Sequence, residues 1–218
     1  MHDLASGVSH FHDTVFPAQA ELFARLATTH APDTLFIGCS DARVVPELIT
    51  SSRPGELFVI RTAGNLVPAY GPGADGVAGS IEYAVSVLGV NRIVVCGHSG
   101  CGAMTALAEG HDLSSMPTVA AWLRHADAAA ARCGDSSTGA LIETNVIAQQ
   151  ANLATHPAVA RALAAGAVTV EGWVFDIGSG AITIVDRTDR LAARETVPPG
   201  VPARRDRPTT AHHAAAIG

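Results

Sequence analysis

The sequence predicts an α/β fold with a mostly parallel central sheet, flanking helices and an antiparallel edge strand. Three observations carry that expectation. Short apolar runs recur at 34–38, 57–61, 92–96 and 167–175, each of a length suited to a buried strand. Segments with helical apolar spacing lie between most of them, so the strands are joined by crossovers and run parallel. Gly178-Ser179-Gly180 then reads as a tight turn into a fifth run at 181–185, which supplies the antiparallel edge.

The elements follow in chain order. Val8, Phe11, Val15, Phe16, Leu22, Phe23 and Leu26 recur at near-helical spacing despite Pro17, giving one or two amphipathic helices. The first strand, Thr34 to Gly38, ends directly on Cys39-Ser40-Asp41. Pro54-Gly55 announces the second, Leu57 to Arg61. A Gly-rich loop from Gly71 to Gly79 runs into a helix from Val77 to Leu88. The third strand, Arg92 to Cys96, finishes at Gly97-His98-Ser99-Gly100-Cys101. Helical patterns dominate from Ala103 to about Ala165, with a break near Gly134 to Gly139. Beyond Glu195 the chain turns to Pro, Arg, Ala and His without periodicity. The expected organisation is an N-terminal helical arm (1–30), an α/β domain (31–194) and a flexible tail (195–218).

Bulk composition bounds the function. The chain has 218 residues, 48% hydrophobic and 16% charged, which allows a substantial core and argues against global disorder. Its formal net charge of -6 disfavours nucleic acid or an anionic membrane as partner. Met1-His2-Asp3-Leu4 lacks the basic and apolar regions of a secretory signal, and no stretch of about 20 apolar residues suits a membrane span. A cytoplasmic location is expected. In that setting four cysteines point to metal chemistry more than to a disulfide framework.

Two of those cysteines sit where chemistry gathers in open α/β sheets, at the carboxyl ends of strands. Cys39 follows the first strand, and His98-x-x-Cys101 follows the third. Two thiolates and an imidazole suit Zn²⁺, and three protein ligands leave one position for water or substrate, as in catalytic sites. Gly97, Gly100 and Gly102 leave the turn uncrowded. The same residues are also compatible with two buried cysteines and a satisfied core histidine. Cys96 reads as a small hydrophobe of a buried strand, and Cys133 has no partner motif. Asp41 and Arg43 lie two apart. If that segment is extended, their side chains point the same way and can form a bidentate ion pair, either an ordinary salt bridge or an oriented proton acceptor. No Gly-x-Gly-x-x-Gly opens the first helix, which argues against a dinucleotide enzyme.

Taken together these stretches resemble the β-class carbonic anhydrases. Cys39-Ser-Asp-Ala-Arg43 and Gly97-His-Ser-Gly-Cys-Gly102 are similar to the family's two zinc motifs. Pro54-Gly-Glu-Leu-Phe58, Arg61-Thr-Ala-Gly-Asn65 and Ser80-Ile-Glu-Tyr83 fall between them in the family's order, and Gly172-Trp173 follows. The resemblance covers about residues 8–190. It implies a β-carbonic anhydrase-like fold and reversible hydration of carbon dioxide to bicarbonate by attack of zinc-bound hydroxide. Cys39, His98 and Cys101 are the implied zinc ligands, and Asp41 with Arg43 the catalytic dyad. Phe58, Ala63 and Tyr83 are implied to line the carbon dioxide pocket, with the Gly102 amide a donor to bicarbonate. His30 stands where many members have a substrate-binding Gln; an imidazole there can donate one hydrogen bond or carry protons, or it can simply occupy a loop. Members with a regulatory bicarbonate site use a Trp, a Tyr and an Arg; here Arg61 remains, and Phe36 and Phe175 take the other places. The resemblance further implies a homodimer or homotetramer, with the N-terminal arm on a neighbouring subunit. Two other readings share these motifs: a carbonyl sulfide or carbon disulfide hydrolase, and a zinc-stabilised interaction protein whose fourth ligand is Asp41.

Overall fold

The computed structural model describes residues 3–73, 75–134 and 137–185, and the backbone of Thr196–Val197. The chain divides into two compact units, Met1–Ala31 and Pro32–Gly218.

In the first unit, α1 (Leu4–His10) is capped by Asp3, whose carboxylate accepts from the backbone N–H groups of Ala5 and Ser6 at 3.1 and 3.3 Å. Pro17 lacks an N–H and cannot continue the ladder. The helix accordingly widens into a π turn over Phe11–Val15 before α2 (Phe16–Ala18) and α3 (Ala20–Leu26). Phe11, Phe16 and Phe23 pack on one another with ring centroids 5.3 to 6.2 Å apart. No described residue of this unit is buried.

The second unit is built on a sheet of order β2-β1-β3-β4-β5-β6. Its strands are β1 (Thr34–Cys39), β2 (Leu57–Thr62), β3 (Arg92–His98), β4 (Thr169–Phe175), β5 (Ile182–Ile184) and β6 (Thr196–Val197). The first four are parallel and the last two antiparallel, the hairpin turning at Gly180 with φ 75°. This is the sheet expected from the sequence, with β6 added where the tail was predicted to begin. Apart from Thr196 and Val197, that tail lies outside the described residues. From β1 the chain moves outward to β2, then crosses to β3 on the other side of β1. Such a reversal opens a crevice beyond the carboxyl ends of β1 and β3.

The remaining helices are α4 (Pro46–Ile49), α5 (Gly76–Glu82, continued by a π turn to Val87), α6 (Gly102–Ala108), α7 (Pro117–Leu123), α8 (Asp127–Arg132), α9 (Thr138–Leu153) and α10 (Pro157–Ala164). Side chains alternate across the central strands. Leu35, Ile37, Ile93 and Val95 join Val146 and Leu153 of α9 and Val159 of α10 in one core. Phe36, Val94, Cys96 and Phe175 face the other way and pack with Val44, Ile49 and Trp173. Among the described residues no helix is long and apolar enough to cross a membrane.

Candidate metal centre

The two polar clusters sit at the crevice because the ladder carries them there. Cys39 pairs with Thr62 and His98 with Phe175, so β1 and β3 each run to the candidate ligand itself, one or two residues beyond the apolar runs. After His98 the chain reverses through Gly100 at φ 63°, a conformation that favours glycine, and delivers Cys101 to the start of α6. Cys39, His98 and Cys101 are all buried, and their ligand atoms lie within 4.8 Å of one another.

The donor set fits a zinc ion. The Ser99 carbonyl, 3.0 Å from His98 Nδ1, can only accept, so Nδ1 carries the proton and Nε2 keeps a lone pair. That Nε2 is buried and makes no hydrogen bond. A buried polar atom without a partner is costly, and an ion beside two thiols is the partner this chemistry calls for. Hydrogen bonding from the Cys101 thiol pulls the Cys39 pKa down, and the same contact, with burial, pushes Cys101 up. Without a cation the pair shares one proton; a dication allows both sulfurs to ionise. Burial works to lower the pKa of His98, but the neighbouring Cys39 sulfur and the Ser99 carbonyl outweigh it and raise the pKa.

Asp41 and Arg43 meet as a bidentate pair, Nε to Oδ1 at 2.9 Å and Nη2 to Oδ2 at 2.6 Å. The backbone that brings them together is a turn and not an extended segment: the Val44 N–H donates to the Asp41 carbonyl at 3.0 Å. Asp41 Oδ1 also accepts from the Arg43 N–H at 2.9 Å, the local closure that short acidic side chains provide in turns. Hydrogen bonds from the Arg43 side chain and amide hold the Asp41 carboxyl well below the usual carboxylate range. Asp41 Oδ2 lies 3.8 Å from His98 Nε2, and Arg43 Nη2 reaches the Gly100 carbonyl at 3.0 Å, tying one motif to the other.

Two supports go beyond what the motifs reveal. Arg61 donates to three carbonyls of the Cys39 loop: Cys39 at 3.1 Å, Asp41 at 2.6 Å and Val44 at 2.7 Å. Phe36 and Phe175 lie with Val44 in an apolar cluster. From α9, Asn145 donates to the Gly64 carbonyl at 3.0 Å, and Gln149 accepts from the Val67 amide at 2.9 Å. Asn152 reaches the Val67 carbonyl at 2.9 Å. Together they pin the segment that follows β2. Polar residues at i, i+4 and i+7, which share one face of a helix, are the available signal for this network.

The substrate-side residues separate into groups. Ala63 and Gly102 are exposed and line one cavity of about 510 Å³. Phe58 and Tyr83 are not among its lining; they pack on each other with ring centroids 6.0 Å apart. Phe58 pairs with Leu35, four residues before the Cys39–Thr62 level, roughly 13 Å along the strand. His30 lies in the first unit, exposed, between α3 and β1. Cys96 is buried, and desolvation pushes its thiol up to about 12, as befits a packing residue. Cys133 is half-buried at the end of α8.

A sequence model described as carbonic anhydrase matches residues 34–182. The chain belongs to the carbonic anhydrases. A carbonic anhydrase of Pseudomonas aeruginosa is 54% identical over 197 residues, covering 87% of this chain and 90% of that protein. The β-class is fixed by solved relatives. The β-carbonic anhydrase CcaA is 36% identical with a TM-score of 0.82, spanning 90% of this chain and 98% of the other. One of two tetrameric β-carbonic anhydrases from Sordaria macrospora is 29% identical with a TM-score of 0.70, over 88% of this chain and 96% of that one. The β-carbonic anhydrase fold thus accounts for both the sheet order and the crevice at its centre.

Proposed function

We propose that this chain catalyses the reversible hydration of carbon dioxide to bicarbonate at a zinc ion held by Cys39, His98 and Cys101. The observation that carries this is the convergence of three buried ligand atoms within 4.8 Å, next to a carboxylate already claimed by an arginine. Zinc bound there supplies Lewis acidity, which makes a coordinated water acidic enough to act as a nucleophile near neutral pH.

The protein's own groups do the rest. Asp41, with both oxygens engaged by Arg43, is held ionised and oriented as a proton acceptor at the mouth of the site, and it is not free to close the metal shell. Ala63 gives an apolar wall for an uncharged, linear substrate, and the Gly102 amide at the first turn of α6 is placed to donate to the bicarbonate product. Phe58 and Tyr83, set apart from Ala63 in this chain, serve the apolar lining of a second subunit's site, and the arm of residues 1–30 packs on that subunit. A homodimer or homotetramer follows, in line with the tetrameric Sordaria relatives. His30 is assigned the role of a hydrogen-bond donor to substrate. Thiols that must stay reduced to bind metal suit a cytoplasmic setting.

Stopped-flow hydration assays of the protein and its Asp41→Asn variant, with zinc quantified in both, test the reading. The expected result is one zinc per chain in each and a loss of about a hundredfold in the variant, the scale of a lost general base. Zinc-loaded protein that leaves carbon dioxide untouched, or that releases sulfide from carbonyl sulfide faster than it hydrates carbon dioxide, refutes the assignment.

A further inference from the structure

The two sulfurs of the centre are supported from different places. Cys101 precedes α6, and two of the first N–H groups of that helix, those of Ala103 and Met104, act as donors to its sulfur. Cys39 ends β1, and its sulfur accepts instead from two loop amides. One is that of Asp41 in its own turn, and the other that of Gly64, beyond the neighbouring strand β2. The ladder brings the second within reach: Cys39 pairs with Thr62, and Gly64 follows two residues on, buried, with φ 73°. A Cβ there would crowd Ala103 at 3.1 Å and Met104 at 3.2 Å, and the backbone conformation itself favours glycine. This segment is packed tightly onto the start of α6.

What aims the Gly64 amide is the far end of its own peptide group. That rigid trans unit joins the Gly64 N–H to the Ala63 carbonyl, and the two point in opposite directions. Trp122 of α7 donates its indole N–H to the Ala63 carbonyl at 2.9 Å. The indole packs against the apolar cluster that contains Leu66, Met104, Cys39 and Cys101, and it meets the His125 ring at 5.1 Å between centroids. A donor at the carbonyl polarises the peptide and strengthens its N–H, as hydrogen bonds in series do. Asn145 holds the next carbonyl, that of Gly64, at 3.0 Å, so the segment is fixed on both sides of the amide. We propose that Trp122 is a positioning residue of the metal centre, aiming and strengthening the Gly64 amide at the Cys39 sulfur through the Ala63–Gly64 peptide. The inference rests on the zinc site assigned above. Donors to a ligand sulfur withdraw electron density from it and fix its orientation, the service that groups outside the ligand set perform in metal centres. Cys39 thus receives from another element what Cys101 receives from the helix that follows it.

Trp122→Phe keeps an aromatic ring in the cluster and deletes the N–H. Competition against a chromophoric chelator should show zinc held about tenfold more weakly, the lower end of what such outer contacts contribute. With cobalt(II) in place of zinc, the sulfur-to-metal charge-transfer absorption should move to longer wavelength, because a sulfur that has lost a donor gives up an electron more readily. Leu123→Ala removes a buried side chain from the same helix; it should lower the melting temperature of the metal-free protein and leave that absorption in place. An unchanged absorption and zinc affinity in Trp122→Phe overturn the inference. So does an equal shift in Leu123→Ala, which would make the effect one of helix packing. A further measurement needs no variant: the parent loaded with ¹¹³Cd should show a scalar coupling between the metal and the Gly64 amide proton, transmitted through the sulfur. An amide without that coupling also overturns the inference. A parent that takes up no cobalt through its sulfurs removes the zinc site, and the role of Trp122 with it. A parent that binds cobalt there yet leaves carbon dioxide untouched removes the hydration reading alone.

Discussion

At the scale of single residues, the site is held by backbone acceptors as much as by side chains. One guanidinium, that of Arg61, bonds three carbonyls of the Cys39 loop, among them that of Asp41, which also accepts from the Val44 amide. A lysine in its place is a point charge with no fork and cannot serve three carbonyls in that plane. Arg61→Lys should therefore keep its zinc while the turn carrying Asp41 loosens, lowering kcat/KM by about tenfold, or roughly 1.4 kcal/mol. Metal analysis beside a hydration assay decides it; full activity in the variant would remove Arg61 from the account. Asp41 also fixes a pH expectation. Because its folded pKa is depressed, its ionised form persists throughout the neutral range, and its contribution fades only as pH falls through that lowered value. The deficit of Asp41→Asn relative to the parent should accordingly be constant from pH 6 to 9. The ligands were legible in the sequence because His98-x-x-Cys101 is a local turn and Cys39 ends an apolar run. The role of Arg61 was not, because it depends on the register that sets Arg61 opposite Gly38.

Among the elements, α9 does the most to position the site, and it does so by lying unusually close to the sheet. A Cβ on Gly97 of β3 would come within 2.9 Å of Val146, and one on Gly172 of β4 within 2.7 Å of the Val185 carbonyl and 2.8 Å of Val146. The Gly172 position would also collide with the Gln150 amide, which itself bonds the Val185 carbonyl at 3.3 Å. Gly172→Ala must push α9 or the β4–β5 hairpin outward, an overpacking cost of about 2–3 kcal/mol. Thermal unfolding should show it as a fall of about 4–12 °C, against little change for Gly79→Ala in α5, where an added methyl meets nothing within 4 Å. An unchanged melting temperature for Gly172→Ala would mean that the helix can ride up without cost. Strand positions were readable from apolar runs to within a residue or two. The crossover that puts β3 beside β1 was not, since nothing local in either strand names its neighbour. Spacing alone does not tell the turn at Asp41–Val44 from an extended segment, because alternation and an Asp-closed turn both bring residues two apart to the same side.

For the molecule as a whole, the open question is what covers the first unit. Leu4 and Val8 are 83% and 68% exposed, and Phe11 and Phe16 remain 42% and 40% exposed even within their aromatic cluster. A segment of this size with no buried residue among those described cannot hold helices in water by propensity alone, since helices shorter than about 12–15 residues are marginal in isolation. Its apolar face needs a partner surface, and in the proposed assembly that surface is a second copy of the chain. The net charge of -6 does not oppose this, because charge spread over a surface this size is screened within about 8 Å at physiological salt. The full chain should run as a dimer or tetramer by light scattering at micromolar concentration. A chain beginning at Pro32, which retains the whole sheet and its core, should fall to a smaller species and keep its zinc. If instead the full chain is monomeric while hydrating carbon dioxide at full rate, then neither the arm nor the Phe58–Tyr83 pair serves a neighbouring subunit, and Ala63 alone forms the apolar wall.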